Sequence, residues 1–221
     1  MDGNGRWAKR RGLPRREGHK KGMEIVEAVL EHAVERGIKF LSLFAFSTEN
    51  WIRPKKERDF LFSHFAAYLL KKRQKMLKEG IRLNVMGRRQ GLPKSLTQRI
   101  DEVAKATEKN EKCVLNIVFN YGGRAEIVDA VRALVKSKAS ADKLTEEDFS
   151  GYLYDRFIPD VDLLIRTSGE ERISNFLLWR LAYSEIYFTT VFWPDFKPRD
   201  LDKALDVFAA RQRRYGGLHS L

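Results

Sequence analysis

A chain of 221 residues, 43% hydrophobic and 33% charged, suits one globular α/β domain with a core of its own and excludes disordered, collagen-like and membrane-spanning classes. No apolar run nears the roughly 18 residues of a membrane span, no signal peptide is recognisable, and the single cysteine, Cys113, cannot form an internal disulfide, so a reducing cytoplasm is expected. Lysine and arginine number 42 against 30 acids, a net charge of +12, so the molecule attracts anions such as nucleic acid, lipid headgroups or diphosphates.

The chain opens on Met1-Asp-Gly-Asn-Gly-Arg-Trp-Ala-Lys-Arg-Arg-Gly-Leu-Pro-Arg-Arg-Glu-Gly-His19. Gly3 and Gly5 permit a turn whose N–H groups converge on an anion, while Arg6, Arg15 and Arg16 add fork-shaped donors that match phosphate oxygens. A helix starting near Gly18 would aim its positive end at the same point. Asp2 is out of place beside a phosphate unless a cation lies between them, and Mg²⁺ suits a carboxylate shared with substrate phosphates. No Gly-Lys-Ser/Thr follows, so the stretch is not a P-loop. Taken alone, it also fits a solvated basic loop.

Met23, Val26, Val29, Leu30, Ala33 and Val34 recur at helical spacing up to Gly37. Residues 39 to 46 are nearly all apolar, as in a strand covered on both faces, and deliver Ser47-Thr-Glu-Asn-Trp-Ile-Arg53 at its carboxyl end. Pro54 opens a helix that runs to Gly80. Ile81, Leu83 and Val85 alternate as a strand, Leu96 to Ala104 mark a helix, and Val114 to Phe119 a third strand. Tyr121-Gly-Gly-Arg124 reads as a tight strand-to-helix turn before a helix through Val135, followed by an exposed loop over residues 136 to 144 and a short helix capped by Thr145. Val161 to Ile165 predicts a fourth strand, Ser174 the cap of a helix carrying Phe176 to Leu181, and Glu185 to Phe188 a fifth strand. A last helix runs through Leu201, Leu205 and Phe208 towards Arg211.

Strand and helix alternate throughout, which predicts a single α/β domain over residues 1–221 with a central, mostly parallel sheet flanked by helices. Ligands of such sheets bind beyond the carboxyl ends of the strands. The segments there are Ser47 to Arg53, Tyr121 to Arg124 and Arg166 to Ser174, and several arginine-bearing loops at one edge suggest more than one phosphate group.

Five motifs, in order along the whole chain, carry a resemblance. They are Met1-Asp-Gly-Asn-Gly-Arg-Trp-Ala with Gly18-His19, Phe46-Ser-Thr-Glu-Asn-Trp51 with Arg53-Pro54, Asn120-Tyr-Gly-Gly-Arg124, Ile165-Arg-Thr-Ser-Gly-Glu-Glu-Arg-Ile-Ser-Asn-Phe176, and Trp193-Pro-Asp-Phe196. They resemble the cis-prenyltransferase family, of the undecaprenyl diphosphate synthase type. The resemblance implies an Mg²⁺-dependent enzyme that condenses isopentenyl diphosphate repeatedly onto an allylic diphosphate such as farnesyl diphosphate. The product would be a Z-polyprenyl diphosphate, precursor of the lipid carrier for cell-wall synthesis. By the same resemblance, Gly3, Asn4, Gly5, Arg6, Arg15 and His19 take the allylic diphosphate, and Arg166, Arg172 and Ser174, with Ile173, take isopentenyl diphosphate. Ser47 and Trp51 lie near the reacting groups, Trp7, Thr48, Glu49 and Arg53 also bind substrate, Asn50 is the proton acceptor, and Asp2 and Glu185 organise the metal. As a neutral amide is a poor base, Asn50 could instead orient a water or the pyrophosphate.

A growing hydrocarbon needs an apolar channel, for which Phe40, Leu43, Phe44, Phe60, Phe62, Phe65 and Leu69 are candidate walls and Ala45 and Val118 candidate length determinants. A homodimer is implied, in which Arg214-Tyr-Gly216 reaches the neighbouring site, as is peripheral membrane association through the lipid product. Family members carry an apolar strand before the Met-Asp-Gly-Asn-Gly motif, so the working protein is expected to be longer at its amino terminus. A basic nucleic-acid-binding protein is the alternative that the charge alone allows; it would bind in a strongly salt-dependent way and have no need of Asp2. Trans-type prenyl synthases rely on Asp-Asp-x-x-Asp helices, which this sequence lacks.

Overall fold

The computed structural model describes residues 1–212, so Arg214-Tyr-Gly216 lies outside the described residues. Helices α1 (Asn4–Arg10) and α2 (Arg15–Glu35) open the chain, followed by strand β1 (Phe40–Ser47), helix α3 (Lys55–Glu79), strand β2 (Ile81–Met86), helix α4 (Lys94–Thr107) and strand β3 (Cys113–Tyr121). Helices α5 (Gly123–Ser137) and α6 (Glu146–Ser150), strands β4 (Leu163–Arg166) and β5 (Glu185–Phe188) and helix α7 (Pro198–Ala209) complete the fold.

The parallel crossovers are as expected: β1, β3 and β2 pair in that order, and β4 pairs with β5, all in parallel. The strands form two sheets rather than one. The edges of β1 and β4 instead bound a common cavity, lined without a break by residues 38–47 and 158–167. A cavity against the face of a sheet would be lined by alternate residues, so consecutive lining marks two strand edges. On one side of the three-stranded sheet, Leu43, Leu83, Leu115 and Ile117 pack under α2, α3 and α4; on the other, Val118, Met86 and Tyr121 pack against Phe176 and Leu177. Cys113 is buried in β3, which pushes its thiol up to about 11 and leaves it a small apolar filler.

Three local expectations change. The opening glycine-rich segment is not an open loop but helix α1, seated on α2 at Gly18, where an added Cβ would lie 2.0 Å from the Asn4 carbonyl oxygen. Helix α2 therefore begins at Arg15, directly after Pro14. No helix starts at Ser174, because Ser174, Asn175 and Leu177 have φ of 50°, 62° and 38°, and left-handed residues cannot propagate a right-handed helix. The Thr145 cap holds, its Oγ1 accepting from the Asp148 N–H at 3.1 Å.

Candidate diphosphate site

The cavity, about 1110 Å³, is polar at the carboxyl ends of β1 and β4 and mostly apolar along the strands, with Lys39, Asp160 and Asp162 at their amino ends. Its rim gathers Asp2, Gly3, Asn4, Gly5 and Arg6 from the amino terminus, Arg15 and His19 from α2, Ser47, Glu49, Asn50 and Arg53 from the turn after β1, and Arg166, Arg172, Ile173 and Ser174 from β4 and the loop after it. Four segments thus supply five guanidinium groups to one mouth.

Asp2 is fixed by its backbone. Its N–H donates to Thr167 Oγ1 at 2.9 Å, and its carbonyl accepts from Thr167 Oγ1 at 3.0 Å and the Trp193 N–H at 2.9 Å. Gly3 follows with φ 97°, and a Cβ there would sit 2.6 Å from the Phe192 ring, so glycine alone lets the chain reverse into α1. The Asp2 carboxylate accepts from the Gly3 N–H at 2.6 Å and from Arg166 NH2 at 2.8 Å, with Arg6 at 3.5 Å. Burial favours the protonated acid, but the Gly3 N–H and Arg166 outweigh it and hold the carboxyl below its usual range. The Met1 amino group, buried at the same cavity and repelled by Arg166, is lowered to about 6 despite Asp2.

Arg166 also donates to the Arg172 carbonyl at 2.9 Å and to Ser174 Oγ at 3.1 Å, which ties the loop after β4 to Asp2. A second cluster surrounds Glu57, whose Oε1 lies 3.3 Å from Arg15, 3.4 Å from Arg53 and 3.6 Å from His19. Burial and the charges of Arg53 and Arg15, opposed by Glu57, lower His19 to about 4. His19 is therefore neutral at pH 7, and its Nε2 is a buried polar atom without a hydrogen-bond partner among the described residues. An unfolded histidine titrates near 6.5, so between about pH 4 and 6.5 the unfolded chain binds the extra proton and stability falls as pH drops. Histidine NMR should find His19 titrating near 4, and pyrophosphate should raise that value; an ordinary value without ligand would refute the burial argument.

Asn50 Oδ1 accepts the Ser47 N–H at 3.1 Å, capping the short 3₁₀ turn Thr48–Ile52. The amide oxygen thus already accepts one hydrogen bond, and its NH₂ offers two donors to a ligand. Trp7, Thr48, Trp51 and Glu185 do not line the cavity. Trp7 Nε1 donates to Asp195 at 2.7 Å, Trp51 Nε1 donates to Asn120 at 2.7 Å with its ring against Phe46 and Phe62, and Thr48 lies under Gly122. Glu185 pairs in register with Leu163, whereas the rim residue Arg166 is opposite Phe188. At roughly 3.3 Å per residue, Glu185 sits about 10 Å down the strand, where it pairs with Arg211 at 2.6 Å. The two expected metal carboxylates are therefore not brought together.

The channel candidates divide as well. Phe40, Leu43, Phe44 and Ala45 line the cavity, whereas Phe62, Phe65, Leu69 and Val118 are packed in the core and Phe60 stacks on His64. Sequence reasoning missed Asn175, which staples three loops: its Nδ2 donates to Glu49 at 2.7 Å, and its Oδ1 and carbonyl accept from the N–H groups of Arg124 and Gly123 at 2.8 and 2.7 Å. An asparagine next to the Ser174 motif was its only signal, since asparagine tolerates the left-handed φ it adopts.

Fold and rim together define an α/β enzyme that binds diphosphates beyond the carboxyl ends of parallel strands, with an apolar cavity beneath. Comparison with known proteins narrows the class. Residues 1–216 match the prenyltransferase family of undecaprenyl diphosphate synthase, and the chain belongs to that family, the cis-prenyltransferases. It is 51% identical to an isoprenyl transferase of Fusobacterium nucleatum, over 100% of this chain and 95% of that one. It is 46% identical to a farnesyl-diphosphate-specific ditrans,polycis-undecaprenyl-diphosphate synthase of Legionella pneumophila, over 98% and 92% of the two chains. The crystal structure of lavandulyl diphosphate synthase from Lavandula x intermedia, in complex with dimethylallyl diphosphate, superposes with a TM-score of 0.95 at 33% identity and covers 98% of this chain and 95% of its own. The protein is a prenyl transferase.

Proposed function

We propose that the protein condenses isopentenyl diphosphate repeatedly onto farnesyl diphosphate to give a Z-polyprenyl diphosphate of the undecaprenyl type. The observation that carries this is the convergence of Arg6, Arg15, Arg53, Arg166 and Arg172 with Asp2 on one rim above an apolar cavity. Breaking an allylic C–O bond loads charge onto the departing pyrophosphate, and fixed guanidinium groups stabilise that charge more than they stabilise the substrate. Gly3, Asn4, Gly5, Arg6, Arg15 and His19 hold the allylic diphosphate; Arg166, Arg172 and Ser174 hold isopentenyl diphosphate.

Asp2, ionised and partly exposed, fits Mg²⁺ as a single protein carboxylate, the remaining ligands being diphosphate oxygens and water. Bound there, Mg²⁺ would neutralise the leaving group. Glu185 is left out of this set. Asn50 orients a phosphate oxygen through its NH₂, and the proton released at each condensation passes to pyrophosphate or water, because a neutral amide is a poor base.

Purified protein with Mg²⁺, farnesyl diphosphate and labelled isopentenyl diphosphate should give long polyprenyl diphosphates, sized by chromatography, and chelation should stop the reaction. No incorporation under any Mg²⁺ condition would overturn the proposal. The tail leaves the rim past Ala45, which is exposed to the cavity next to Ser47. Ala45→Leu should shorten the product, and an unchanged length distribution would remove Ala45 from the channel.

Two wider features belong to the same reading. The protein works as a homodimer, for which the exposed Val128, Val131 and Val135 on α5 offer a face, and unchanged sedimentation of Val131→Asp would exclude that face. It acts in the cytoplasm at the membrane surface, where exposed Leu13 and Ile52 sit among the basic residues Lys9 to Arg16, Lys55 and Lys56. Anionic vesicles should sediment it and neutral ones should not.

A further inference from the structure

Glu170 is not part of the cavity wall, yet it grips two residues that are. Its Oε1 lies 2.6 Å from Arg6 NH1 and its Oε2 lies 2.5 Å from Arg172 NH1, with the Glu170 side chain 20% exposed. The same loop holds Arg6 again, through Ser168 Oγ at 2.7 Å and the Ser168 carbonyl at 3.4 Å. Ser168 and Gly169, with φ of 76° and 71°, turn the chain immediately before Glu170.

Two guanidinium groups held close together repel each other, and two long side chains on different segments do not keep a fixed spacing by themselves. A carboxylate with one oxygen on each removes the repulsion and sets the spacing before any ligand arrives. Glu57 differs, since Arg15, Arg53 and His19 all approach the same one of its two oxygens, Oε1.

Resting on the two-diphosphate reading above, we propose that Glu170 is a positioning residue for the condensation. By locking Arg6, assigned to the allylic diphosphate, to Arg172, assigned to isopentenyl diphosphate, it fixes the distance between the two diphosphates and hence between the reacting carbons. It acts through these arginines and touches neither substrate.

Glu170→Gln keeps the size of the side chain but has one acceptor oxygen, so it can hold only one of the two guanidinium groups in the same way. Displacement of reacting groups on the ångström scale costs up to about 100-fold in rate, so kcat for isopentenyl diphosphate incorporation is expected to fall about 10- to 100-fold. The KM values should move less than about threefold, because each arginine still binds its own diphosphate. Glu170→Asp, with both oxygens, should recover part of the loss. In an Arg172→Ala background, Glu170→Gln should add less than about twofold, since a residue acting through Arg172 has nothing left to position. Full multiplication of the two losses, or a Glu170→Gln rate within twofold of the parent, would overturn the inference. Calorimetry with inorganic pyrophosphate needs no turnover and separates the two levels. A parent protein that binds no pyrophosphate sinks the diphosphate reading itself, whereas normal binding and normal condensation by Glu170→Gln sinks only the role of Glu170.

Discussion

Asp2→Ala is expected to lower turnover roughly 100- to 1000-fold, the cost of removing one preorganised stabilising group from an anionic transition state. The fold should survive the change. Asp2 is held by its own N–H and carbonyl, which alanine retains, and its side chain is 38% exposed. What is lost is the carboxylate proposed to share Mg²⁺ with the diphosphate, which also accepts from Arg166 at 2.8 Å. Because the Gly3 N–H and Arg166 hold this carboxyl below its usual range, Asp2 should stay ionised in solutions acidic enough to protonate ordinary carboxylates. Stopped-assay kinetics across Mg²⁺ concentration and pH, with a thermal melt of the variant, checks both parts. Activity within tenfold of the parent would remove Asp2 from the chemistry.

The second large effect lies behind the rim. Glu126 and Arg180, with side chains 1% and 4% exposed, pair at 3.1 Å. Glu126 also accepts from Tyr121 Oη and from the Tyr154 N–H, and Arg180 donates to the carbonyls of Ile158 and Tyr154. This network joins the end of β3 to the segments on either side of β4, and so carries the loop that holds Arg172 and Asn175. Glu126→Ala leaves a buried guanidinium without its counter-ion and should destabilise the protein by about 3–5 kcal/mol. The double variant Glu126→Leu, Arg180→Met should recover much of that, since two apolar groups leave no stranded charge. Denaturant titration of the parent and the two variants decides it; a Glu126→Ala protein within about 1 kcal/mol of the parent would mean that the pair is solvated or replaceable.

The strands that deliver the rim could be read from the chain. Residues 40–46 and 114–119 are apolar runs too short for helices and too continuous for half-exposed strands, and the turns after β1 and β4 follow from where those runs stop. Helix α1 could not be read so, because Asn4, Gly5 and Arg6 carry no helical periodicity; what makes them a helix is the surface of α2 at Gly18 and Gly22. The helix expected after Ser174 failed for a related reason. Phe176, Leu177 and Leu181 have helical spacing, but burial against β3 and the docking of Arg180 outweigh a weak local preference. Glu185 was placed at the metal by resemblance, and strand register puts it one sheet row after another away from the rim.

Sequence by itself determined the chemistry on offer: a carboxylate, flexible glycines and many arginines, in an order that fixed the family, because residue type and local pattern are written in the chain. Tertiary structure alone decided which of those groups meet. Asp2 lies beside Arg166, Glu170 spans Arg6 and Arg172, and Trp7, Trp51 and Glu185 face elsewhere, since pairing across long sequence separations is set by sheet register and packing, on which local sequence is silent.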